Sequence, residues 1–342
     1  MTTRVAFLFP GQGSQAVGMG ADIFATSVAA KRVFEAADEA LGIPLSSLCF
    51  QGPEETLRKT INAQPAIVTV SLAYLAAFQE ALSSAASSWS SPLSPDFTAG
   101  HSVGEFTSLV LAGALDLKDT LRLVRERGRL MDIEESDCPG SMAAIIGMQA
   151  EPLQEICQEV SQQQAAERSS EAHTGLGKVT IANYNAPGQI VISGEKRALE
   201  LAAELAKARG AKKVMPLAVS GAFHSPVMYP AVNGMTQALA AVPLQKPTLP
   251  IISNITAIPL TNAQELREEL AQQLATSVQW VRSIEYMRDA GITTFIEIGP
   301  GQALASMIKR IDRSVKIINI GAGAEVEKAA AYVREMGLLS SV

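Results

Sequence analysis

Gly100-His101-Ser102-Val103-Gly104 follows the short apolar run Phe97-Thr98-Ala99 and opens an apolar, helix-patterned stretch over residues 105–115. A serine between two glycines at a strand-to-helix junction is the pattern of a nucleophile elbow, a strained turn that exposes the hydroxyl. Glycine on both sides removes the Cβ atoms for which so sharp a turn has no room. The helix that follows aims its first backbone N–H groups at the space where an oxyanion would form. The pentapeptide also recurs by chance, so its weight depends on finding a base.

A serine hydroxyl becomes a nucleophile when a base takes its proton. The chain holds three histidines: His101, His173 and His224. His101 adjoins the serine, and neighbouring side chains on a sharp turn point apart. His173 falls in residues 161–177, a stretch rich in Gln, Ser, Glu and Ala that reads as a solvated loop. His224 remains, in Val219-Ser220-Gly221-Ala222-Phe223-His224-Ser225-Pro226. That segment follows a strand expected over 213–219, and its small residues and Pro226 mark a turn. If imidazole activates Ser102, His224 is the base by elimination; a hydrogen-bonded structural histidine is the alternative.

Composition sets the frame. A chain of 342 residues holds two ordinary domains or one large domain with an insertion. With 47% apolar and 18% charged residues it can bury a substantial core, which excludes wholesale disorder. A net charge of −6 argues against nucleic acid as a partner. Cys49, Cys138 and Cys157 are widely spaced and match no metal or disulfide pattern, so no metal is expected. The run Val5-Ala6-Phe7-Leu8-Phe9 is too short for a signal segment, and no apolar stretch is expected to approach the length of a membrane span. The expected setting is a reducing cytoplasm or a stroma-like soluble compartment.

Residues 5–9 form a continuous apolar run broken by Pro10-Gly11, which reads as a buried parallel strand entering a loop. The loop Gly11-Gln12-Gly13-Ser14-Gln15 lacks the lysine of a phosphate cradle and the spacing of a dinucleotide fingerprint. Helical patterns follow over 21–41 and 64–82, then a Ser/Ala/Pro-rich loop over 83–95 containing Trp89. On the helix expected over 117–131, Leu117, Leu121, Val124, Gly128 and Met131 share one stripe. Arg122, Arg125 and Arg129 cluster on a solvated flank, while Arg127 falls on the other flank beside Met131. A covered guanidinium needs an anion, and from the residues alone an internal ion pair is the better reading.

From Gly140 the pattern changes to strand 141–148, helix 151–164, strand 178–182, turn 185–188, strand 189–193, helix 197–209 and strand 213–219. This β-α-β-β-α-β order predicts a ferredoxin-like unit. The remainder returns to α/β texture, with strands expected over 249–253, 294–298 and 316–320 and helices over 264–274 and 281–290. The expectation is an α/β-hydrolase-like larger domain, residues 1–137 and 219–342, with a parallel sheet and nucleophile elbow. A ferredoxin-like smaller domain, 138–218, is inserted into it.

Together the segments Phe9–Gln15, Gly100–Glu105, Arg127-Gly128, Gly221–Ser225, Gln273, Val278-Gln279-Trp280 and Glu297–Gly301 resemble the malonyl-CoA:acyl carrier protein transacylases. The motifs stand in that family's order and cover nearly the whole chain. The resemblance implies Ser102 as nucleophile, His224 as its base, and Gln12 with the Val103 backbone N–H as oxyanion donors. It implies Gln273 as the residue whose main-chain carbonyl orients the histidine, so that no acidic third member is required. It makes Arg127 the holder of the malonyl carboxylate, against the ion-pair reading, and Phe223 the mark of malonyl selectivity. His101, Asn183 and Asn185 are expected to line the substrate cleft.

The implied reaction is malonyl transfer from malonyl-CoA to the pantetheine thiol of an acyl carrier protein, through a malonyl-serine. CoA is part of a substrate and no cofactor is needed; a monomer without a membrane partner is expected. Lys207, Arg209, Lys212 and Lys213 form a candidate basic patch for an acidic carrier. A trans-acting polyketide synthase acyltransferase, a serine thioesterase or hydrolase, and a non-catalytic scaffold are the competing readings.

Overall fold

The computed structural model describes residues 3–83, 93–166, 176–219 and 221–338, except for the side chains of 134–137. Trp89, His173 and Ser220 therefore lie outside the described residues. The strands are β1 (Val5–Phe9), β2 (Phe97–Gly100), β3 (Gly140–Ile146), β4 (Val179–Ala186), β5 (Gln189–Glu195), β6 (Lys213–Pro216), β7 (Ile251–Ile252), β8 (Pro259–Leu260), β9 (Thr294–Ile298) and β10 (Lys316–Ile320). They form two sheets. The larger has the order β10-β9-β1-β2-β7-β8, the smaller β4-β5-β3-β6.

In the larger sheet every neighbouring pair is parallel except β7 with β8, so the chain is a mixed α/β protein built on a parallel sheet. Parallel strands need helical crossovers, which cover both faces and explain the uninterrupted apolar run of β1. Val5, Phe7 and Phe9 pack on one face with Phe34, Val70, Phe78 and Val124 from three helices, Val28–Leu41, Thr60–Leu82 and Leu117–Asp137. Ala6 and Leu8 face the other way, onto Trp280, Ile284 and Met287 of the helix Trp280–Asp289 and Leu304 and Ile308 of the helix Ala303–Ile311. Period-2 alternation thus divides one strand between two cores.

The helix Thr60–Leu82 corrects one expectation. It is 23 residues long and apolar enough, by length and composition, to cross a membrane. Its most apolar window is 89% buried inside the protein, as a central core helix should be.

The smaller sheet is antiparallel throughout. The helices Ala150–Ala166 and Lys196–Ala208 connect its strands and share a core with it that includes Ile145, Ile156, Ile192 and Ala202. β4 is also tied to the segment just before the helix Trp280–Asp289. Tyr184 N–H donates to Val278 O at 2.9 Å, and Val278 N–H donates to Ala182 O at 2.8 Å.

Several boundaries differ from expectation for local reasons. The helix expected over 21–41 breaks at Ser27, whose extended backbone ends one helix and whose side chain caps the next by accepting from Ala30 N–H at 3.0 Å. The helix expected over 105–115 ends at Leu111, before Gly113 turns left-handed at φ 63°. Strand β6 stops at Pro216, a residue that cannot donate to a ladder. Strand β7 keeps only two of the five residues expected over 249–253.

Candidate active site

β2 ends at Gly100 and the next helix, Gly104–Leu111, begins four residues later. Between them Ser102 adopts φ 52°, a left-handed conformation that costs a β-carbon-bearing residue roughly 1–3 kcal/mol. The flanking glycines are required by contact: a Cβ on Gly100 would lie 1.9 Å from the Gly104 carbonyl carbon, and one on Gly104 2.2 Å from Phe9 O. The strain is held by a residue the sequence did not mark. Asn254 Oδ1 accepts from Ser102 N–H at 2.7 Å, and its Nδ2 donates to Gly100 O at 2.7 Å.

His224 comes to the elbow from 122 residues away, and Ser102 Oγ stands 2.8 Å from its Nε2. It too is left-handed, at φ 57°. Its Nδ1 lies 2.8 Å from Gln273 O and 3.2 Å from Thr276 O. Gln273 stands where the helix Ala263–Gln272 gives way to a 3₁₀ turn, so its carbonyl belongs to the set that helix ends leave without an internal partner. Carbonyls only accept, so Nδ1 carries the proton and Nε2 presents a lone pair to the serine. Burial, and then the Arg127 cation, push the His224 pKa down to about 3, which keeps the imidazole unprotonated, with its Nε2 lone pair free, at neutral pH.

Arg127 is 1% exposed. Its Nη1 donates to Gln64 Oε1 at 2.7 Å; its Nη2 donates to Gln273 Oε1 at 2.9 Å and to Ser102 Oγ at 3.1 Å. Gly128 allows this, since a Cβ there would meet Ile61 Cα at 2.7 Å, and the helices approach closely enough to bring Gln64 beside the guanidinium. The internal ion pair suggested by the residues alone is corrected: among the described residues no carboxylate pairs with Arg127. Burial lowers its pKa to about 10, partly opposed by Glu105, so the group remains a cation at neutral pH. Neutral amides recover only part of the several kcal/mol that desolvating such a charge costs. What results is a desolvated cation beside a serine hydroxyl, with hydrogen-bond donors of the kind a carboxylate accepts from.

Of the remaining expected residues, Val103, His101 and Phe223 adjoin Ser102 or His224 in the chain, and the others lie farther from them in sequence. Val103 is buried and lies between Ser102 and the first helical residue. The Gly11–Gln15 loop packs on the elbow, where a Cβ on Gly11 would meet His101 O at 2.5 Å. The Gln12 side chain donates to Thr60 Oγ1 at 3.3 Å rather than to Ser102. His101 Nε2 is 2.8 Å from Asn185 Oδ1, which ties the elbow to β4, and burial lowers its pKa. Asn183 is buried and bridged to Val278 through the backbone, and Phe223 is buried beside His224. In the basic patch, Arg209 is already paired with Glu159 at 2.8 Å.

Sequence reasoning missed Gln64, Asn254, Glu105 and the side chain of Gln273. Gln64 and Glu105 carried a signal, because each is a polar residue within an apolar helical pattern. Asn254 carried none.

A family model described as "Acyl transferase domain" matches residues 6–331. The malonyl CoA-acyl carrier protein transacylase of Bacillus subtilis (strain 168) is 43% identical over 333 residues, 97% of this chain and 98% of that protein. The solved acyl-carrier-protein-S-malonyltransferase of Bartonella henselae superposes with a TM-score of 0.88 at 39% identity, covering 98% of this chain and 100% of the other. A malonyl-transacylase solved in complex with a type II PKS acyl-carrier protein superposes at 0.87 with 35% identity, covering 96% of this chain and 100% of that one.

Proposed function

The chain belongs to the acyl transferase family, among the malonyl CoA-acyl carrier protein transacylases, and we propose that it transfers malonyl by way of an ester on Ser102. The overall reaction moves the malonyl group from malonyl-CoA to the phosphopantetheine thiol of an acyl carrier protein. The observation that carries the residue assignment is the buried Arg127 guanidinium, without a described carboxylate partner, donating to the oxygen of the serine.

In this reading the malonyl carboxylate docks on Arg127 and replaces the neutral amides as the main partner of its donors. His224 Nε2 takes the Ser102 proton as Oγ attacks the thioester carbonyl. The tetrahedral oxyanion is held by the Val103 backbone N–H and by Gln12. As the C–S bond breaks, His224 returns the proton to the departing CoA sulfur and malonyl remains as the serine ester. The carrier thiol then gives its proton to His224, attacks the ester, and releases Ser102 as the proton passes to its oxygen. The carbonyls of Gln273 and Thr276 face Nδ1–H and favour the transient imidazolium. Phe223, His101, Asn183 and Asn185 shape the cleft around the acyl group.

The same reading divides the chain into an α/β-hydrolase-like domain, 1–137 and 219–342, and a ferredoxin-like domain, 138–218. The elbow after a parallel strand supports the first, and the β-α-β-β-α-β connection with its β4-β5-β3-β6 order supports the second. We place the enzyme in a reducing, cytoplasm-like or stroma-like compartment, acting as a monomer without cofactor or metal. Three buried free cysteines support the reducing compartment.

Intact mass after mixing with malonyl-CoA tests the route: a malonyl adduct on the native chain, none on Ser102→Ala, and loss of the adduct on adding holo carrier protein. Release of free malonate at the same rate with and without carrier would instead make it a hydrolase. The relative bound to a type II PKS carrier favours a second reading, service to polyketide synthesis, which carrier proteins of both kinds would separate.

A further inference from the structure

Glu105 is fully buried in the helix Gly104–Leu111, among Phe106, Leu109 and other apolar side chains. Its Oε2 accepts from Gln273 Nε2, while its Oε1 has no hydrogen-bond partner among the described residues. Taking a carboxyl out of water costs several kcal/mol, and a helix that needed only to pack would place an apolar residue here. The mechanism above gives Glu105 no task. A second buried carboxyl, Glu269, accepts from Ser253 Oγ at 2.6 Å and Ile255 N–H at 2.9 Å. Burial and Glu269 raise the proton affinity of Glu105 well above the usual carboxyl range; Gln273, Asn254 N–H and Arg127 oppose them.

The bond to Gln273 has a consequence at the reacting centre. A carboxamide offers an oxygen that accepts and a nitrogen that donates twice, and its two ends have nearly the same shape. Gln273 Nε2 faces two acceptors, Glu105 Oε2 and Ser102 O, the latter at 3.2 Å. That orientation turns Oε1 towards Arg127 Nη2 at 2.9 Å, the same nitrogen that reaches Ser102 Oγ. Reversed, the amide would set donor against donor at the guanidinium.

Resting on the malonyl-transfer reading, we propose that Glu105 is a positioning residue for acyl selectivity: through the Gln273 side chain it holds Arg127 where a malonyl carboxylate is received. The Ser102–His224 contact does not depend on this bridge, because His224 is oriented by backbone carbonyls. Losing the bridge therefore acts on carboxylate recognition and leaves acyl transfer itself in place.

The test is the ratio of kcat/KM for malonyl-CoA to that for acetyl-CoA, with acyl-serine formation read by mass. Glu105→Leu lowers the ratio about tenfold, the weight of one buried hydrogen bond to a charged centre, mainly through KM for malonyl-CoA. Glu105→Gln, whose oxygen accepts the same bond, restores it. In an Arg127→Ala background Glu105→Leu changes the ratio no further. An unchanged ratio in Glu105→Leu, or an equal fall for both acyl donors, overturns the proposal. If Glu105→Leu does not fold, Gln273→Leu removes the same bridge from its other end and keeps the main-chain carbonyl; a native ratio there overturns it equally. A native chain that takes no malonyl onto Ser102 sinks the malonyl-transfer reading itself, whereas a native chain that loads malonyl beside variants of unchanged ratio sinks only the role of Glu105.

Discussion

Arg127 Nη2 donates a hydrogen bond to Ser102 Oγ at 3.1 Å, so the buried cation and the elbow hydroxyl meet directly within the protein. The two residues are 25 positions apart, on a helix and on a turn, and each is held by amides drawn from elsewhere in the chain. In the proposed reaction this contact would put the malonyl carboxylate's partner within one hydrogen bond of the attacking oxygen. It also gives the His224 Nε2 lone pair and the guanidinium a common partner, the Ser102 hydroxyl.

Replacing Arg127 therefore separates malonyl from acetyl. Arg127→Ala is expected to lose roughly 2–4 kcal/mol of transition-state stabilisation for malonyl-CoA relative to acetyl-CoA, the scale of a buried charge-assisted contact. Steady-state kinetics with both acyl donors measure it. Equal discrimination by native and mutant proteins would remove the carboxylate from Arg127.

The acid limb of the rate profile should be displaced. His224 acts as a base only when neutral, and burial with the Arg127 charge holds its pKa at about 3 against the ordinary 6.5. A lowered value extends the neutral form towards acid, so kcat/KM for malonyl-CoA should stay flat between about pH 5 and pH 7. A fall with its midpoint near the ordinary histidine value would contradict this environment. Arg127→Ala removes one of the lowering influences and should move the limb upward.

Asn254 should matter to every acyl donor alike. In Asn254→Ala both Ser102 N–H and Gly100 O lose their partner, at a cost of about 1–3 kcal/mol for each buried polar group left unsatisfied. The expected outcome is a lower denaturation midpoint and a reduced kcat with malonyl-CoA and acetyl-CoA together. Asn254→Asp keeps the acceptor for Ser102 N–H and loses the donor to Gly100 O, so it should fall between. A change confined to malonyl-CoA would place Asn254 in carboxylate recognition instead.

The elbow turn, the histidine beside it and the buried cation were legible in the chain because each leaves a local mark. The glycines around Ser102 report a turn without room, and a short histidine inventory leaves His224 by elimination. Arg127 broke the polarity pattern of its helix, although that pattern supplied the wrong partner. The β1 run and the β-α-β-β-α-β succession of elements in the smaller unit were likewise readable from period and punctuation. β8 was not, and β7 was read as longer than its two residues, since two residues establish no period.

By itself, then, the sequence determined which residues carry reactive groups and which segments must be buried, because side-chain chemistry, glycine conformations and hydrophobic period are local properties. Only the tertiary structure decided their partners: Asn254 on the strained serine, Gln64 and Gln273 on the guanidinium, and Glu105 behind them. These contacts span 63 to 168 residues of chain. Local periodicity records that a side chain is covered, and the packing of distant elements alone settles what covers it.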